Sequence, residues 1–473
     1  MERNDRSAFL ESTMAEADRV LIRSRPVHAA GKYARMARSL YDFYRGSVPV
    51  FSADFANGSL PASASEFSLN APLVLSTGDA HPENFGLLLA TDGSLALEPN
   101  DFDSADRYPY LWDVRRLTTG LVLAARLANP EDEAARMQSA AAASDIARAA
   151  AVSYTATVRS RVRIRYDEAF RDASPHLTDL YRRGERDRER IDELNELTEV
   201  VDGARVLRRG VVAEDDPENL FQDLPKEPFE ALTPTLLEYR SSLLAPPPPE
   251  YFTVLDAARE LGSGVASWPR IRVLILVRGP TDAADDDVIL ELKELVDSAA
   301  QGWVRPRRYH DTVGDRLLET SRALWARPDA EPLWGEGMWL GMPVQIRRES
   351  EAQKTLRVRR MEGELGTVQG LTELATILGA VLARMHMTPQ VVGGNDLNVA
   401  EAIDAVIGDR AEAFADEQAA QAIAYANQVE ADWILWREIV RRDPTLGLPL
   451  NVNDQPRDEV RGILGVPATP AIP

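Results

Sequence analysis

Residues 78–103 read GDAHPENFGLLLATDGSLALEPNDFD, and the rest of the chain is best read outward from them. An apolar triplet, Leu73-Val74-Leu75, precedes them and has the character of a short buried strand. Within the stretch, Phe85 to Leu89 and Leu95 to Leu97 are apolar runs split by Thr91-Asp92-Gly93-Ser94, a turn signal, so a hairpin is expected. Polar turns flank that hairpin. Asp79, His81, Glu83 and Asn84 fall within six positions before it, and Asp101 follows Asn84 by seventeen, in the turn Asn100-Asp101-Phe102-Asp103. Strand ends on either side of one hairpin can present such groups to one point in space.

Upstream, residues 5–45 read as two helices, the second carrying Tyr33, Met36, Leu40 and Tyr44 at helical spacing, before a Ser-, Ala- and Gly-rich loop around 52–70. Downstream, Leu111 to about Val200 is helix-rich. The alternating charges of 181–197 suit a solvated helix face. The run PPPP at 246–249 is the expected boundary. After it, ELGSGVASWPRIRVLILVRG gives a Gly-containing turn leading into a strand, and DDDVILELKEL a second strand holding Lys293. A helix follows in DRLLETSRALW, then two strand-like stretches, MWLGMPVQIRR and KTLRVRRM, then an amphipathic helix, LTELATILGAVLARMH. The expected parts are a helical one over 1–245, a sheet-bearing one over 250–365, returning helices over 366–445 and a flexible tail over 446–473.

Composition narrows the function classes. A net charge of −21 over 473 residues disfavours a nucleic-acid partner, which needs a basic face. The absence of cysteine removes disulfides, thiol nucleophiles and thiolate metal sites. The N-terminus is charged and no apolar run approaches the length of a bilayer span, so the expectation is a soluble, cytoplasmic protein with no membrane partner. Oligomeric state is not legible.

Any one Asp or Asn in such turns has an ordinary role, capping a helix or bonding its own backbone. Asp79, Asn84 and Asp101 together, each after a strand, match what phosphoryl transfer requires. One carboxylate orients or deprotonates the attacking hydroxyl, while an amide oxygen and a second carboxylate hold magnesium on the phosphates. A two-metal phosphoesterase would need further histidines in ligand settings, and His28, His176, His310 and His386 have none. A serine hydrolase would need a GxSxG elbow, which is absent.

GDAHPENF followed by NDFD resembles the signature of the aminoglycoside-phosphotransferase-like kinases, whose catalytic loop typically reads HGDLHPGN before an IDF or IDW metal turn. A closer resemblance is to the bacterial family known as domain of unknown function 2252, through FYRG at 43–46, GDAHPENFG, NDFD, WDVRRL at 112–117 and LKE at 292–294. It extends over about residues 28–390. The resemblance implies an α+β, protein-kinase-like two-lobed fold with a large helical lobe and a small antiparallel-sheet lobe. It implies Asp79 as catalytic base, His81 beside it as a catalytic-site residue that either shapes the loop or serves as a base, Asn84 and Asp101 as magnesium ligands, and Asp103 as a further acidic partner. Asp113 would orient the catalytic loop. Gly262, Ser263 and Gly264 would cover the phosphates of ATP, and Lys293 would contact them.

These ATP-holding parts follow the catalytic turn instead of preceding it, so the order is that of a circularly permuted kinase, with the helix ending at His386 returning to the start. Val313 stands where the resemblance calls for a Glu to pair with Lys293, leaving Asp315 or Glu319 as substitutes. Arg45 and the pair Arg115-Arg116 would either face transferred phosphate or pair with nearby carboxylates. The implied activity is ATP- and Mg2+-dependent transfer to a hydroxyl of an unidentified small-molecule or protein acceptor. The alternatives are a nucleotide-binding pseudokinase and a nucleotidyl (AMP) transferase.

Overall fold

The computed structural model describes residues 3–446, apart from 59, 129–132, 188–191, 212–219, 262–263, 282, 299–309, 311, 350–351, 362, 364, 393–394 and 445. The expected tail beyond Leu446 and the turn residues Gly262 and Ser263 lie outside the described residues.

Five helices open the chain where two were expected: α1 (Arg3–Ala17), α2 (Arg19–Ser24), α3 (Pro26–Arg38), α4 (Leu40–Gly46) and α5 (Val48–Asn57). The breaks have local causes. Pro26 sits in the first turn of α3, where its missing N–H is harmless. The Ser39 hydroxyl caps α4 by accepting from the Asp42 N–H at 3.0 Å. The last helix, α5, takes up the first part of what reads as a loop.

Next come β1 (Leu73–Ser76), β2 (Phe85–Leu89), β3 (Leu95–Pro99) and β4 (Asp106–Pro109). β2 and β3 form the expected hairpin, with the Asp92 carboxylate accepting from the Ser94 N–H at 3.0 Å in its turn. β1 pairs antiparallel with β4, so the hairpin is an insert within a two-stranded clasp. The two acidic turns lie where the clasp gives way to the hairpin, on the outgoing and the returning side.

α6 (Tyr110–Leu127), α7 (Glu133–Ser160), α8 (Pro175–Asp187) and α9 (Asp192–Leu197) fill the helix-rich region. They lead to β5 (Thr198–Val201), β6 (Ala204–Leu207), β7 (Gly210–Val211), β8 (Leu220–Asp223), α10 (Lys226–Glu230) and α11 (Leu232–Ser242). β9 (Val254–Leu261), β10 (Arg272–Val277), β11 (Val288–Glu294), α12 (Val313–Leu324), β12 (Gly335–Trp339) and β13 (Met342–Arg348) follow. Seven of these strands form one antiparallel sheet in the order β12-β13-β11-β10-β9-β8-β7.

Alternation sorts the side chains of that sheet. Val273, Ile275, Leu290 and Leu292 pack against Leu232, Leu236 and Tyr239 of α11. Leu274, Leu276 and Ile289 take the other face with Leu207 and Phe221, and the period of two puts Lys293 on that second face. The proline run at 246–249 lies inside the sheet-bearing part, with β7, β8 and α11 before it and β9 to β13 after it.

Two strand expectations change. MWLGMPVQIRR belongs to a hairpin, β12–β13, which turns at Leu340 and Gly341 with φ 54° and 80°. KTLRVRRM forms no strand beyond a single bridge of Thr355 to Gly86 and a 3-10 turn over Val358–Arg360. The cause is long-range: the Glu83 carboxylate accepts the Val358 N–H at 2.7 Å, taking the donor a ladder would use.

α13 (Val368–His386), β14 (Gln390–Val392), β15 (Asn395–Leu397), α14 (Val399–Ile407) and α15 (Ala411–Arg442) complete the chain. α13 is long and apolar enough to cross a bilayer by composition, yet 72% of its most apolar window is buried inside the protein. It is the central helix of a core shared with α6, α7 and α15, to which Leu374, Leu378 and Leu382 contribute fully buried side chains. At Gly379 it crosses α7 so closely that a Cβ would lie 2.2 Å from the Ala150 carbonyl oxygen. Its Arg384 reaches Glu98 on β3 in a buried ion pair, fastening the hairpin to the helical core.

Candidate active site

The turn after β1 is built on Gly78, whose φ of +71° lies in the left-handed region. A Cβ there would stand 2.3 Å from the Ser104 carbonyl oxygen, so the two acidic turns touch at this residue. The Ser76 hydroxyl accepts from the Gly78 N–H at 2.8 Å and donates to Asp113 Oδ2 at 2.5 Å. The same Asp113 oxygen lies 3.2 Å from His386 Nε2, and His386 Nδ1 lies 2.8 Å from the Tyr154 hydroxyl. A buried polar chain thus runs from α7 through the end of α13 and the first turn of α6 to the backbone of the turn after β1. Asp113 therefore acts on the loop backbone through Ser76.

Asp79 projects from that turn and is held on two sides. Arg116 Nε donates to its Oδ1 at 2.6 Å, and His81 Nε2 lies 3.5 Å from its Oδ2. Arg116 is itself immobilised, donating to the Tyr44 carbonyl at 2.6 Å and lying 3.7 Å over the Tyr44 ring. Burial pushes the Asp79 carboxyl up; the Arg116 guanidinium pulls it back and nearby Asp101 adds to the rise, leaving it at about 6. His81 is buried among Tyr41 and Tyr44, and burial, then Arg45 and Arg116, hold its imidazole far below its usual range. The ring is therefore neutral and packed against both tyrosines.

Asn84 closes the turn, its Nδ2 donating to the Asp79 carbonyl at 2.7 Å. That leaves Oδ1 as its free acceptor. Asp101 Oδ1 accepts from the Asp103 N–H at 3.0 Å. Asp103 receives Lys293 Nζ at 2.6 Å and Arg270 Nη1 at 2.8 Å, both on Oδ2. Burial alone would raise Asp103, but Arg270 and Lys293 more than reverse it and hold the carboxylate ionised. The partner of Lys293 is therefore Asp103, 190 positions away. Asp315 instead forms a capping box with Thr312, and Glu319 lies 2.8 Å from His310 Nδ1.

The helix expected to give a carboxylate, α12, sends in Arg316, which donates to the carbonyls of Phe102, Asp103 and Ala105 and, at 2.9 Å, to that of Val296. Phe102 is wedged edge-on between Trp325 and Trp334. Arg45 lies 3.0 Å from Glu83, and Arg115 donates to the carbonyls of Ser63 and Ala64, so each finds a local partner. Gly264 has φ +80° and its carbonyl accepts from Arg35 at 2.8 Å.

Asp79, Asp101 and Asp103 line one cavity of ≈ 1090 Å3, walled by α1 to α3 on one side and by Arg270 and Glu294 on the other. Among the described residues no three His, Cys, Asp or Glu side chains are grouped closely enough to hold a metal by themselves. That does not conflict with magnesium, which takes one or two carboxylates and draws its other ligands from phosphates and water. Of the expected donors, the Asp101 carboxylate lines the cavity, while Asn84, buried in the adjoining turn, is not among the residues that line it; Asp101 and Asn84 Oδ1 are the types of donor that magnesium takes.

A sequence model of bacterial proteins, described as "uncharacterized protein conserved in bacteria (DUF2252)", matches residues 24–439. The chain belongs to the DUF2252 family. No curated protein and no solved structure matches it. The family match takes in every element that meets at the cavity except α1 and most of α2. FYRG supplies Tyr44 and Arg45, WDVRRL supplies Asp113 and Arg116, and LKE supplies Lys293 and Glu294. Motifs scattered through the DUF2252 chain thus converge on one site.

The sequence carries no signal for Arg270 or Arg316 at this site, since their partners in the second acidic turn lie over 160 positions away.

Proposed function

We propose that this protein is an ATP- and magnesium-dependent phosphotransferase of kinase-like, circularly permuted architecture, acting on a hydroxyl of an acceptor. The observation that carries the proposal is the contact of Lys293 with Asp103, a carboxylate that lines one cavity with Asp79 and Asp101. A strand lysine from the downstream sheet reaches the acidic turn of the upstream clasp, as the permuted order demands. The return of α13 to Asp113 through His386 supports the same order.

In this proposal Asp79 accepts the proton of the attacking hydroxyl, and Arg116 fixes its orientation. Asn84 Oδ1 and Asp101 would hold magnesium, which when bound neutralises phosphate charge. Lys293 leaves Asp103 for the phosphates, and the α1–α3 wall keeps bulk water from the transfer. The clamp of Arg116 on Asp79 also suits a second function, a nucleotide-binding pseudokinase in which that carboxylate is permanently engaged. Transfer of AMP on the same fold is separated from phosphoryl transfer by the mass added to an acceptor.

The test is Mg2+-dependent ATP turnover by purified protein, with Asp79→Asn and Asp101→Ala alongside. Asp79→Asn is expected to lower turnover by about 10²-fold or more with ATP binding kept, whereas Asp101→Ala weakens Mg2+-dependent binding itself. ATP binding without turnover on a broad acceptor panel would favour the pseudokinase. Absence of both would overturn the proposal.

A further inference from the structure

Arg270 stands just before β10, its N–H donating to the Ser267 carbonyl at 2.9 Å, and its side chain lines the cavity of the acidic turns. Its Nη1 shares Asp103 Oδ2 with Lys293. Two cations on one oxygen leave both sides poorly served. Asp103 Oδ1 is buried without a hydrogen-bond partner, and Arg270 Nη1 is buried without a well-directed one. Other cations of the same wall are better placed. Arg25 is held two-pronged by Glu294 at 2.6 and 2.9 Å, and Lys32 lies 2.6 Å from Asp18.

The pattern of sign around this point is specific. Asp79 and Asp101 on one side attract a cation, while Arg270 and Lys293 on the other attract an anion. Neither a bare metal nor a bare anion satisfies both halves; a metal-complexed polyphosphate does. A guanidinium matches the geometry of a phosphate better than a single carboxylate oxygen shared with an ammonium.

We propose that Arg270 is, with Lys293, a binding residue for the terminal phosphates of a nucleoside triphosphate. In the ligand-free state Asp103 stands in for those phosphates. When the polyphosphate enters, both cations exchange the carboxylate for phosphate oxygens and Asp103 is released with both oxygens free. This rests on the phosphotransferase proposal and adds to it the residue that reads the phosphate chain.

The test measures binding of ATP, AMP and inorganic tripolyphosphate, each with Mg2+, to the full chain and to Arg270→Ala and Arg270→Lys, with thermal unfolding to confirm the fold. Arg270→Ala is expected to lose on the order of tenfold in affinity for ATP and tripolyphosphate and none for AMP, with Arg270→Lys between. A purely structural role would weaken all three ligands together. That result, or unchanged tripolyphosphate binding in Arg270→Ala, overturns the assignment and leaves the phosphotransferase proposal standing. Failure of the unaltered protein to bind either ATP or tripolyphosphate sinks both.

Discussion

Asp79, Arg116 and Tyr44 form a stack in which each side chain fixes the next, so the proposed base has little rotational freedom. A different buried acid has a measurable effect on stability. Glu331, between α12 and β12, is pushed up to about 7 by burial, against the weaker pull of Arg347 and Arg348. Because its folded value lies above its ordinary one, the stability it allows is fully present below about 4.5 and is lost as pH rises through about 7. Glu331→Gln removes the ionisable group and keeps an oxygen to accept the Leu333 N–H. In denaturant titrations the stability of the variant relative to the unaltered protein should rise by on the order of 3 kcal/mol from about pH 4 to above pH 8, over a constant offset for the bond from Gln353 Nε2 that the new amide NH2 cannot accept. Parallel pH profiles for the two would refute this. At this scale Asp79, Asn84 and Asp101 were legible because they crowd into one short stretch between strands. Asp103 was expected as a further acidic partner for the metal; its pairing with Lys293 and Arg270 was not legible, since both arrive from a part of the chain more than 160 positions away.

Among the elements, α13 decides most. It packs on α7 at a glycine, anchors the hairpin through Arg384 and ends on Asp113 through His386. Gly379→Val would put a branched side chain where even a Cβ is too close to Ala150. The helices would have to separate, at about 1–3 kcal/mol or more. Thermal unfolding should show the drop, and an unchanged Tm would mean that the crossing is looser than described. The sequence period of α13 was plain because its core face repeats at helical spacing. KTLRVRRM has an equally clear alternation and still makes no strand, because Glu83 takes the Val358 N–H. MWLGMPVQIRR hid a turn whose first residue, Leu340, is an unusual choice for positive φ. Local pattern sufficed where packing agreed with it and failed where one distant hydrogen bond intervened.

Over the whole molecule, α1, α5 and α15 are joined through Arg6. Its guanidinium donates to both oxygens of Asp54 at 2.6 and 2.7 Å and to both of Asp432 at 2.9 and 2.5 Å. All three side chains are buried, so Arg6→Ala would strand two carboxylates together. The expected loss is about 3–5 kcal/mol, read by urea unfolding of the full chain. A loss below 1 kcal/mol would show that water reaches the gap. Mixed helix and small antiparallel sheets were legible from element order. The extent of the sheet was not, since the proline run sits within the sheet-bearing part and β7 is only two residues long.

The bond between His386 and Asp113 spans 273 positions. A ribosome adding about 5–20 residues per second needs roughly 15–50 s to make that interval. For most of that time the GDAHPENF turn is outside the ribosome while the helix that braces it is still to be completed. The turn that bears Asp79 is thus made long before the last of its supports, and the growing polypeptide carries an unfinished core in the meantime.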